Sequence, residues 1–138
     1  MKIRKAKPTI YEQVHDNHAM VQRVEEGLPV MDVVRFSKQA GFTNEELAKL
    51  INIPARTYAR RVAGKSRLKV HEGERAARLM RVFERAKRLF VTNENTRDWF
   101  NFELPALGWR TPLDFAQTEP GAREVEAVLE RLEDGVVM

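Results

Sequence analysis

Apolar residues recur along this chain at the three- and four-residue spacing of amphipathic helices, and no run alternates in the way that a β-strand requires. The clearest example lies at about 72–91, where every turn carries at least one apolar side chain. Its members are Ala76, Leu79, Met80, Phe83, Ala86 and Phe90. The pattern predicts an all-α fold. With 138 residues, 43% of them hydrophobic, the chain is long enough to bury a core without disulfides or a metal.

Capping residues and helix breakers divide this pattern into segments. Thr9 with Glu12, and Thr43 with Glu46, have the spacing of capping boxes, in which each threonine accepts a backbone N–H bond in the first turn. The predicted helices lie at about 10–26, 29–41, 43–51, 54–64, 72–91 and 94–102, followed by a turn or a single helical turn at 104–108 and two last helices after Thr111 and Thr118. We group them as an N-terminal arm and helix at 1–27, a helix-turn-helix domain at 28–70 and a small helical domain at 71–138.

Positive charge is concentrated in the first half of the chain. Residues 1–70 contain 14 Lys and Arg against 7 Asp and Glu, whereas residues 71–138 contain 10 against 13. This asymmetry indicates two different partners, with a polyanion such as DNA for the first half. The chain has no cysteine, which excludes disulfides and thiolate metal sites and is typical of a cytoplasmic protein. No window approaches the ~20 consecutive apolar residues of a membrane helix, so we expect no membrane partner.

Residues 43–63 have the pattern of a helix-turn-helix, in which two short helices are joined by a tight turn. Leu47, Ile51 and Ile53 are predicted to fill the space between the helices. Asn52 lies in the turn, where the backbone adopts the left-handed conformation that asparagine tolerates better than most residues. The second helix of such a pair presents its outer face to the major groove of DNA.

The helix after Pro54 carries an outer face that is rich in arginine. Helical angles predict that Ala55, Tyr58, Ala59 and Val62 face the core, and that Arg56, Thr57, Arg60 and Arg61 face outward. Residues 56–69 contain six cations and no anion. A solvated basic surface is the alternative, but such surfaces usually interleave acids, so we favour DNA contact. The predicted DNA-binding residues are Thr43, Asn44, Arg56, Thr57, Arg60, Arg61 and Lys65.

A combination of motifs in the second half supports a family resemblance. Residues 104–114 read LPALGWRTPLD, residues 118–123 read TEPGAR, and residues 131–136 read RLEDGV. This combination resembles the toxin-binding domain of Xre/MbcA/ParS-type antitoxins. Gly27-Leu28-Pro29 and the helix-turn-helix resemble the N-terminal part of the same family, so the resemblance covers about 27–138. Trp109 stands where a small residue, often glycine, is usual.

The resemblance implies an antitoxin. Members of this family pair with toxins of the RES-domain type, which consume NAD. Their C-terminal domain covers the mouth of the toxin's active site, and their helix-turn-helix domain represses the shared operon. The implied partners are therefore a cognate RES-domain toxin and operator DNA, with no cofactor. Since helix-turn-helix proteins read half-sites about one helical turn apart, we also expect a homodimer.

The predicted toxin-binding residues lie in these motifs and in the acidic and apolar residues at 133–137. Glu133 and Asp134 are expected to meet cations that a toxin keeps for the pyrophosphate of NAD, while the valines behind them fill an apolar slot. The full set is Trp109, Arg110, Glu119, Glu133, Asp134, Val136 and Val137.

Two other functions remain as alternatives. The chain is a stand-alone repressor if its C-terminal half serves only to dimerise it. An enzyme is disfavoured because the only serines, Ser37 and Ser66, have no histidine at a suggestive spacing, and because no glycine-rich phosphate loop occurs. His15 and His18 have a spacing compatible with metal ligation, but no third ligand is evident, so we predict no metal site.

Two side-chain groups in the second half have both structural and functional interpretations. The arginines of the long helix, Arg78, Arg81, Arg85 and Arg88, are predicted to form a solvated stripe paired with Glu74 and Glu84, and additional phosphate contacts are the alternative. The aromatic residues Trp99, Phe100, Phe102 and Trp109 are predicted mainly as core, with Trp109 nearer the surface, where it is suited to anchor a partner.

Overall fold

The computed structural model describes residues 9–135, and within them the fold is all-α, as predicted. The helices are α1 (Ile10–Gln13), α2 (Asn17–Glu26), α3 (Val30–Ala40), α4 (Asn44–Leu50), α5 (Ala55–Ala63), α6 (Val70–Phe90), α7 (Asn93–Phe100), α8 (Pro112–Phe115) and α9 (Glu119–Glu133), with one 3₁₀ turn at Pro105–Leu107. None of the helices in this part of the chain is long and apolar enough to cross a membrane.

The predicted capping residues begin their helices. Thr9 and Thr43 form complete capping boxes, and the hydroxyl of Thr118 accepts a hydrogen bond from the N–H of Gly121 at the start of α9. The single helix predicted at 10–26 is wrong, because α1 ends at Gln13 and α2 begins afterwards. The carboxylate of Asp16 accepts a bond from the N–H of Ala19 at 3.1 Å, so this residue caps a new helix where a continuous one was expected.

One aromatic core joins the two halves of the molecule. Phe83 of α6 contacts Phe36 of α3 edge to face and stacks on Phe100 of α7, with ring centroids 5.4 Å apart in both pairs. Phe42, which follows α3, lies 5.9 Å from the same Phe83 ring. The apolar stripe of α6 is therefore the element on which both the helix-turn-helix and the C-terminal helices pack. The domain boundary predicted at 70/71 falls at the first residue of α6.

Three arginines of the α6 stripe, Arg78, Arg81 and Arg85, do not pair along their own helix, which corrects the prediction for them; the fourth, Arg88, is exposed as predicted. The three face the acidic side of α9, and the closest pair joins Arg81 Nη2 to Glu126 Oε1 at 2.8 Å. The other pairs across this interface are Arg78–Glu119, Arg81–Glu119, Arg85–Glu126 and Arg85–Glu133. The three arginines and Glu126 are half-buried, so these charges hold the last helix against α6 and are not a solvated surface.

Candidate nucleic-acid and protein interfaces

α4 and α5 form the predicted helix pair, and the turn between them is tight. Asn52 adopts the left-handed conformation with φ of 54°, and the N–H of Ile53 donates to the carbonyl oxygen of Ala48 at 2.9 Å. Leu47, Ile51 and Ile53 are buried, as expected of the residues between two such helices. The turn fixes the angle at which α5 leaves α4, and α5 therefore stands at the surface of the molecule.

The outer face of α5 is cationic, but it is rotated from the predicted one. Arg56 and Arg60 are exposed, and Lys65 just beyond the helix is exposed too. Ala55 and Ala59, which were predicted to face the core, lie on this exposed side, so that part of the prediction is wrong. The buried face consists of Tyr58 with half-buried Thr57, Arg61 and Val62.

Arg61 is the residue that this rotation moves furthest from its predicted role. Its guanidinium Nη2 lies 3.1 Å from the carboxylate of Glu72, and the two side chains are only 16% and 7% exposed. The pairing turns Arg61 inward, toward the start of α6. Its prediction as part of the outer DNA-binding face is therefore corrected, since this arginine is engaged inside the protein.

At the N-terminus of α4, both predicted contact residues lie at the surface. Asn44 is exposed, and the hydroxyl of exposed Thr43 already accepts a bond from the N–H of Glu46 at 3.1 Å. Two acidic side chains, Glu45 and Glu46, share this first turn. The predicted cations that the structure leaves exposed are therefore Arg56, Arg60 and Lys65, and Thr43 and Asn44 are exposed polar residues at the start of α4.

Trp109 occupies the tip of an ordered loop in the second half. Its side chain is 66% exposed and its φ is 65°, a left-handed conformation that a bulky residue rarely adopts. Two backbone hydrogen bonds close the loop. The N–H of Trp109 donates to the carbonyl oxygen of Leu104 at 2.9 Å, and the N–H of Leu104 donates to the carbonyl oxygen of Arg110 at 3.1 Å. The indole is therefore presented to solvent by a rigid turn.

The other aromatic residues of this half divide between core and surface. Phe100 is buried, and half-buried Trp99 packs against it and against Phe90, with ring centroids 5.2 Å apart in both contacts. Phe102, beyond the end of α7, is as exposed as Trp109 at 66%. The cluster is therefore core at its first two members and surface at its last two.

Arg110 forms an ordered polar edge beside Trp109. Its Nε donates to Asp114 Oδ2 at 2.7 Å, and its guanidinium carbon lies 5.1 Å from the centre of the Phe115 ring. These three residues, together with Thr118, Pro120 and Glu124, line a shallow groove of about 370 Å³ between α8 and the start of α9.

The predicted acidic contacts are partly engaged within the protein. Glu119 lies 3.4 Å from Arg78 and 3.3 Å from Arg81, and Glu133 lies 3.9 Å from Arg85. Asp134 is exposed at the end of α9. The remaining two predicted residues, Val136 and Val137, lie outside the described residues.

The two N-terminal histidines do not converge with further ligands. His15 and His18 are exposed, and partial burial together with the nearby positive charge of Arg88 lowers the pKa of His15. Across residues 9–135, no group of three or more His, Asp or Glu side chains is arranged to hold a metal ion.

Comparison with known proteins identifies both halves. The description "Antitoxin Xre-like helix-turn-helix domain" matches residues 19–81, and "Antitoxin Xre/MbcA/ParS C-terminal toxin-binding domain" matches residues 85–135. A protein named Antitoxin Xre from Photorhabdus laumondii is 33% identical over 113 residues, which cover 81% of this chain and 76% of the relative. Another Antitoxin Xre, from Yersinia enterocolitica, is 31% identical over 118 residues, covering 85% and 80%. The chain belongs to the Xre family of antitoxins.

In this Xre-family antitoxin, the two exposed surfaces fall in different matched domains. The cationic face of α5 lies within the helix-turn-helix match, and the Trp109 loop lies within the toxin-binding match. The left-handed conformation at Trp109 is one that glycine adopts without steric cost and that a bulky side chain rarely adopts.

Sequence reasoning missed one functional candidate, Glu72. Besides pairing with Arg61, it accepts the N–H of Lys69 at 2.8 Å and is 5% exposed. Its spacing of three from Lys69 was a weak local signal, because a glutamate at the third position of a helix commonly bonds back to the capping residue. Its distant partner Arg61 had no signal in the sequence.

Proposed function

We propose that this antitoxin neutralises a RES-type, NAD-consuming toxin through its C-terminal domain and represses its own operon, as a homodimer in the cytoplasm, through α5. The resemblance of the sequence motifs to partners of RES toxins supports the identity of the toxin. The observation that carries the proposal is the exposed indole of Trp109, on a turn closed by two backbone hydrogen bonds, in the domain matched to toxin binding.

The toxin-binding part rests on the energetics of Trp109. An exposed indole in a left-handed conformation gains little for the fold of the isolated chain, and the conformation itself costs about 1–3 kcal/mol. Transfer of such a side chain into a dry pocket of a partner contributes roughly 1.5–3 kcal/mol. Tryptophan is therefore a frequent anchor at protein interfaces. Arg110, already oriented by Asp114, supplies directional hydrogen bonds next to it.

Acidic residues of the last helix support the same surface. Glu130, Asp134 and the outer part of Glu133 are exposed at the end of α9. A toxin that consumes NAD needs cations for the pyrophosphate, and such cations attract carboxylates by the same long-range field. The Glu133 and Asp134 carboxylates and the valines behind them are proposed to enter that site.

The DNA-binding part rests on the exposed cations of α5. Arg56, Arg60 and Lys65 face solvent, and arginine can bond a guanine edge or a phosphate with two parallel hydrogen bonds. Thr57 and the α4 edge at Thr43 and Asn44 are proposed as flanking contacts. Two copies of the chain would place two such helices in successive major grooves.

Replacement of Trp109 tests the toxin-binding surface. Trp109→Ala is expected to weaken binding of the protein encoded by the adjacent gene by at least about tenfold, since the anchor is removed. Phe102→Ala is the matched control, because this ring is equally exposed and lies outside the ordered loop. Co-purification and growth rescue of toxin-producing cells give the readout. If the wild-type chain binds no such protein, the C-terminal half serves only to dimerise a repressor.

Neutralisation of two exposed arginines tests the DNA surface. Arg56→Ala with Arg60→Ala is expected to weaken binding to a duplex from upstream of the protein's own gene, and to reduce the log–log salt slope by ~0.9 for each phosphate that the variant no longer neutralises. The matched control is Arg123→Ala with Arg131→Ala, which removes the same charge from exposed positions of α9. Unchanged affinity and slope in the α5 double variant would show that another surface binds DNA.

The proposal includes no catalysis by the chain itself. Purified antitoxin, free of toxin, is expected to consume no NAD. A rate of NAD loss proportional to antitoxin concentration would contradict inhibition as its mode of action.

A further inference from the structure

A buried ion pair connects the proposed DNA-binding helix to the long helix that follows it. Nη2 of Arg61, in the last turn of α5, lies 3.1 Å from the carboxylate of Glu72, in the first turn of α6. Arg61 Nε is also buried and has no hydrogen-bond partner among the described residues. A charged pair this well covered is costly to desolvate, so its geometry is a strong constraint on the elements it joins.

The same carboxylate is fixed from a second side. Glu72 Oε1 accepts the backbone N–H of Lys69 at 2.8 Å, which closes the first turn of α6 around it. Backbone hydrogen bonds also hold the connector before α6. The N–H of Ser66 donates to the carbonyl oxygen of Arg61 at 3.0 Å, and the N–H of Leu68 donates to the carbonyl oxygen of Leu28 at 2.8 Å. Glu72 is therefore a rigid acceptor, and the helix that carries Arg61 must fit to it.

α5 packs against α3 and α4, and the Arg61–Glu72 pair is its one described polar side-chain link to α6. Tyr58 is its one fully buried side chain, and the hydroxyl of this tyrosine has no hydrogen-bond partner among the described residues. Tyr58 therefore adds no directional polar contact that fixes the rotation of α5, whereas the Arg61–Glu72 pair does. An atom at the outer radius of a helix, about 5–6 Å from the axis, moves about 2 Å when the helix turns by 20°. That displacement exceeds what a hydrogen bond to a base edge tolerates.

We propose that Arg61 and Glu72 are positioning residues for DNA recognition: their ion pair sets the rotation of α5 so that Arg56 and Arg60 meet the major groove. Arg61 itself makes no DNA contact. This inference rests on the proposed binding of DNA by α5. It assigns specificity to a residue of α6, which lies outside the helix pair, and it gives an inward-facing arginine a role distinct from that of its exposed neighbours.

The test separates positioning from direct contact with two duplexes. One is a 40-base-pair duplex from immediately upstream of the protein's own gene, and the other is a shuffled duplex of the same composition. Arg61→Gln and Glu72→Gln are each expected to weaken binding to the upstream duplex by at least about fivefold. Neither should change the affinity or the salt slope for the shuffled duplex, because non-specific phosphate contacts need no register. Arg60→Ala, a direct contact, should weaken both.

The variant that carries both glutamines protects the test against loss of folding. It leaves no unpaired buried charge, and its two amides can bond each other, so thermal melting and circular dichroism should resemble those of the wild type. Positioning predicts that it binds the upstream duplex at least as well as either single variant. The inference is overturned if Glu72→Gln binds like the wild type while Arg61→Gln and the double variant are both weakened, because Arg61 would then contact DNA directly.

Two further results have distinct meanings. If all three variants bind the upstream duplex like the wild type, the pair has no role in recognition and the inference fails alone. If the wild type does not prefer the upstream duplex to the shuffled one, the proposed repression of its own operon fails, and this inference fails with it.

Discussion

Tyr58 lies at the centre of the helix-turn-helix, with a hydroxyl that makes no hydrogen bond within the described part of the chain. A phenol in this position adds packing but not a polar interaction, and burial raises its pKa above the ordinary value. The folded state therefore holds the phenol proton more tightly than the unfolded chain does. Neutral Tyr58 makes its full contribution to stability at pH values below the pKa of the unfolded chain, about 10. This contribution is lost as the pH rises further toward the raised folded-state pKa.

Replacement of Tyr58 by phenylalanine tests this assignment. At pH 8, Tyr58→Phe is expected to change the free energy of unfolding by less than about 1 kcal/mol, because no hydrogen bond is removed. Above pH 10 the variant should become the more stable of the two, since it has no proton to release. Denaturant titrations of both proteins at pH 8 and at pH 10.5 give the comparison. A large loss at pH 8 would reveal a hydrogen bond to this hydroxyl.

Local signals at single residues were predictable from the sequence, and long-range partners were not. Thr43 and Asn52 were predicted correctly because a cap and a left-handed turn depend on neighbours within four residues. Arg61 was misassigned because its partner, Glu72, lies eleven residues on and belongs to another helix. The conformation of Trp109 was also not predictable from composition, since the residue type argues against a positive φ.

At the scale of helices, α5 shows how a short element misleads a prediction from periodicity. Its nine residues include three small alanines, which weigh little in choosing a buried face, so only Tyr58 and half-buried Val62 mark the core side. An error of one position rotates the predicted face by about 100°. The longer α6 was predicted correctly in its apolar stripe because many turns repeat the same spacing. The acidic partners of its arginines lie on α9, so the pattern of α6 alone cannot predict them.

The ion pairs between α6 and α9 make a prediction of their own. Arg81→Met is expected to lower the free energy of unfolding by about 1–2 kcal/mol, between the values typical of exposed and buried pairs, because Glu119 and Glu126 are each deprived of a half-buried partner. Methionine preserves most of the side-chain packing. The measurement is denaturant unfolding at low and high salt, with a smaller effect at high salt.

Arg88→Met is the matched control for this experiment. Arg88 is on the same helix, is exposed, and makes no ion pair with the residues that the structure describes. It should therefore change stability by no more than about 0.5 kcal/mol. Equal losses of stability in Arg81→Met and Arg88→Met would mean that the arginines act through general helix properties and not through α9.

At the scale of the molecule, the shared aromatic core limits how function can be dissected. Phe36 and Phe83 come from different halves of the chain yet form one contact, and Arg97 of α7 donates to the carbonyl oxygen of Gly41 at 2.8 Å. A cut between the halves would expose this core. Deletions that test toxin binding must therefore leave α6 and the buried part of α9 in place.

Removal of residues 133–138 satisfies this condition. The buried residues of α9, which end at Leu129, are retained, and the one described ion pair that the deletion removes is that of Glu133 with Arg85, whose atoms lie 3.9 Å apart. We expect the truncated chain to melt within a few degrees of the full one and to bind the upstream duplex normally. It should fail to rescue toxin-producing cells, because the proposed carboxylates and valines for the toxin's active site are missing.

The full-length variant Glu133→Gln with Asp134→Asn separates charge from the apolar residues beyond it. If the carboxylates meet the toxin's phosphate-binding cations, this variant should lose part of the rescue that the truncation loses entirely. In a binding assay with purified toxin, its loss of affinity relative to the wild type should be smaller at higher salt. Full rescue by the truncated chain would place the interface at Trp109 and Arg110 alone. If the truncated chain loses both DNA binding and rescue, this end of α9 holds the homodimer instead. That is the arrangement of a stand-alone repressor.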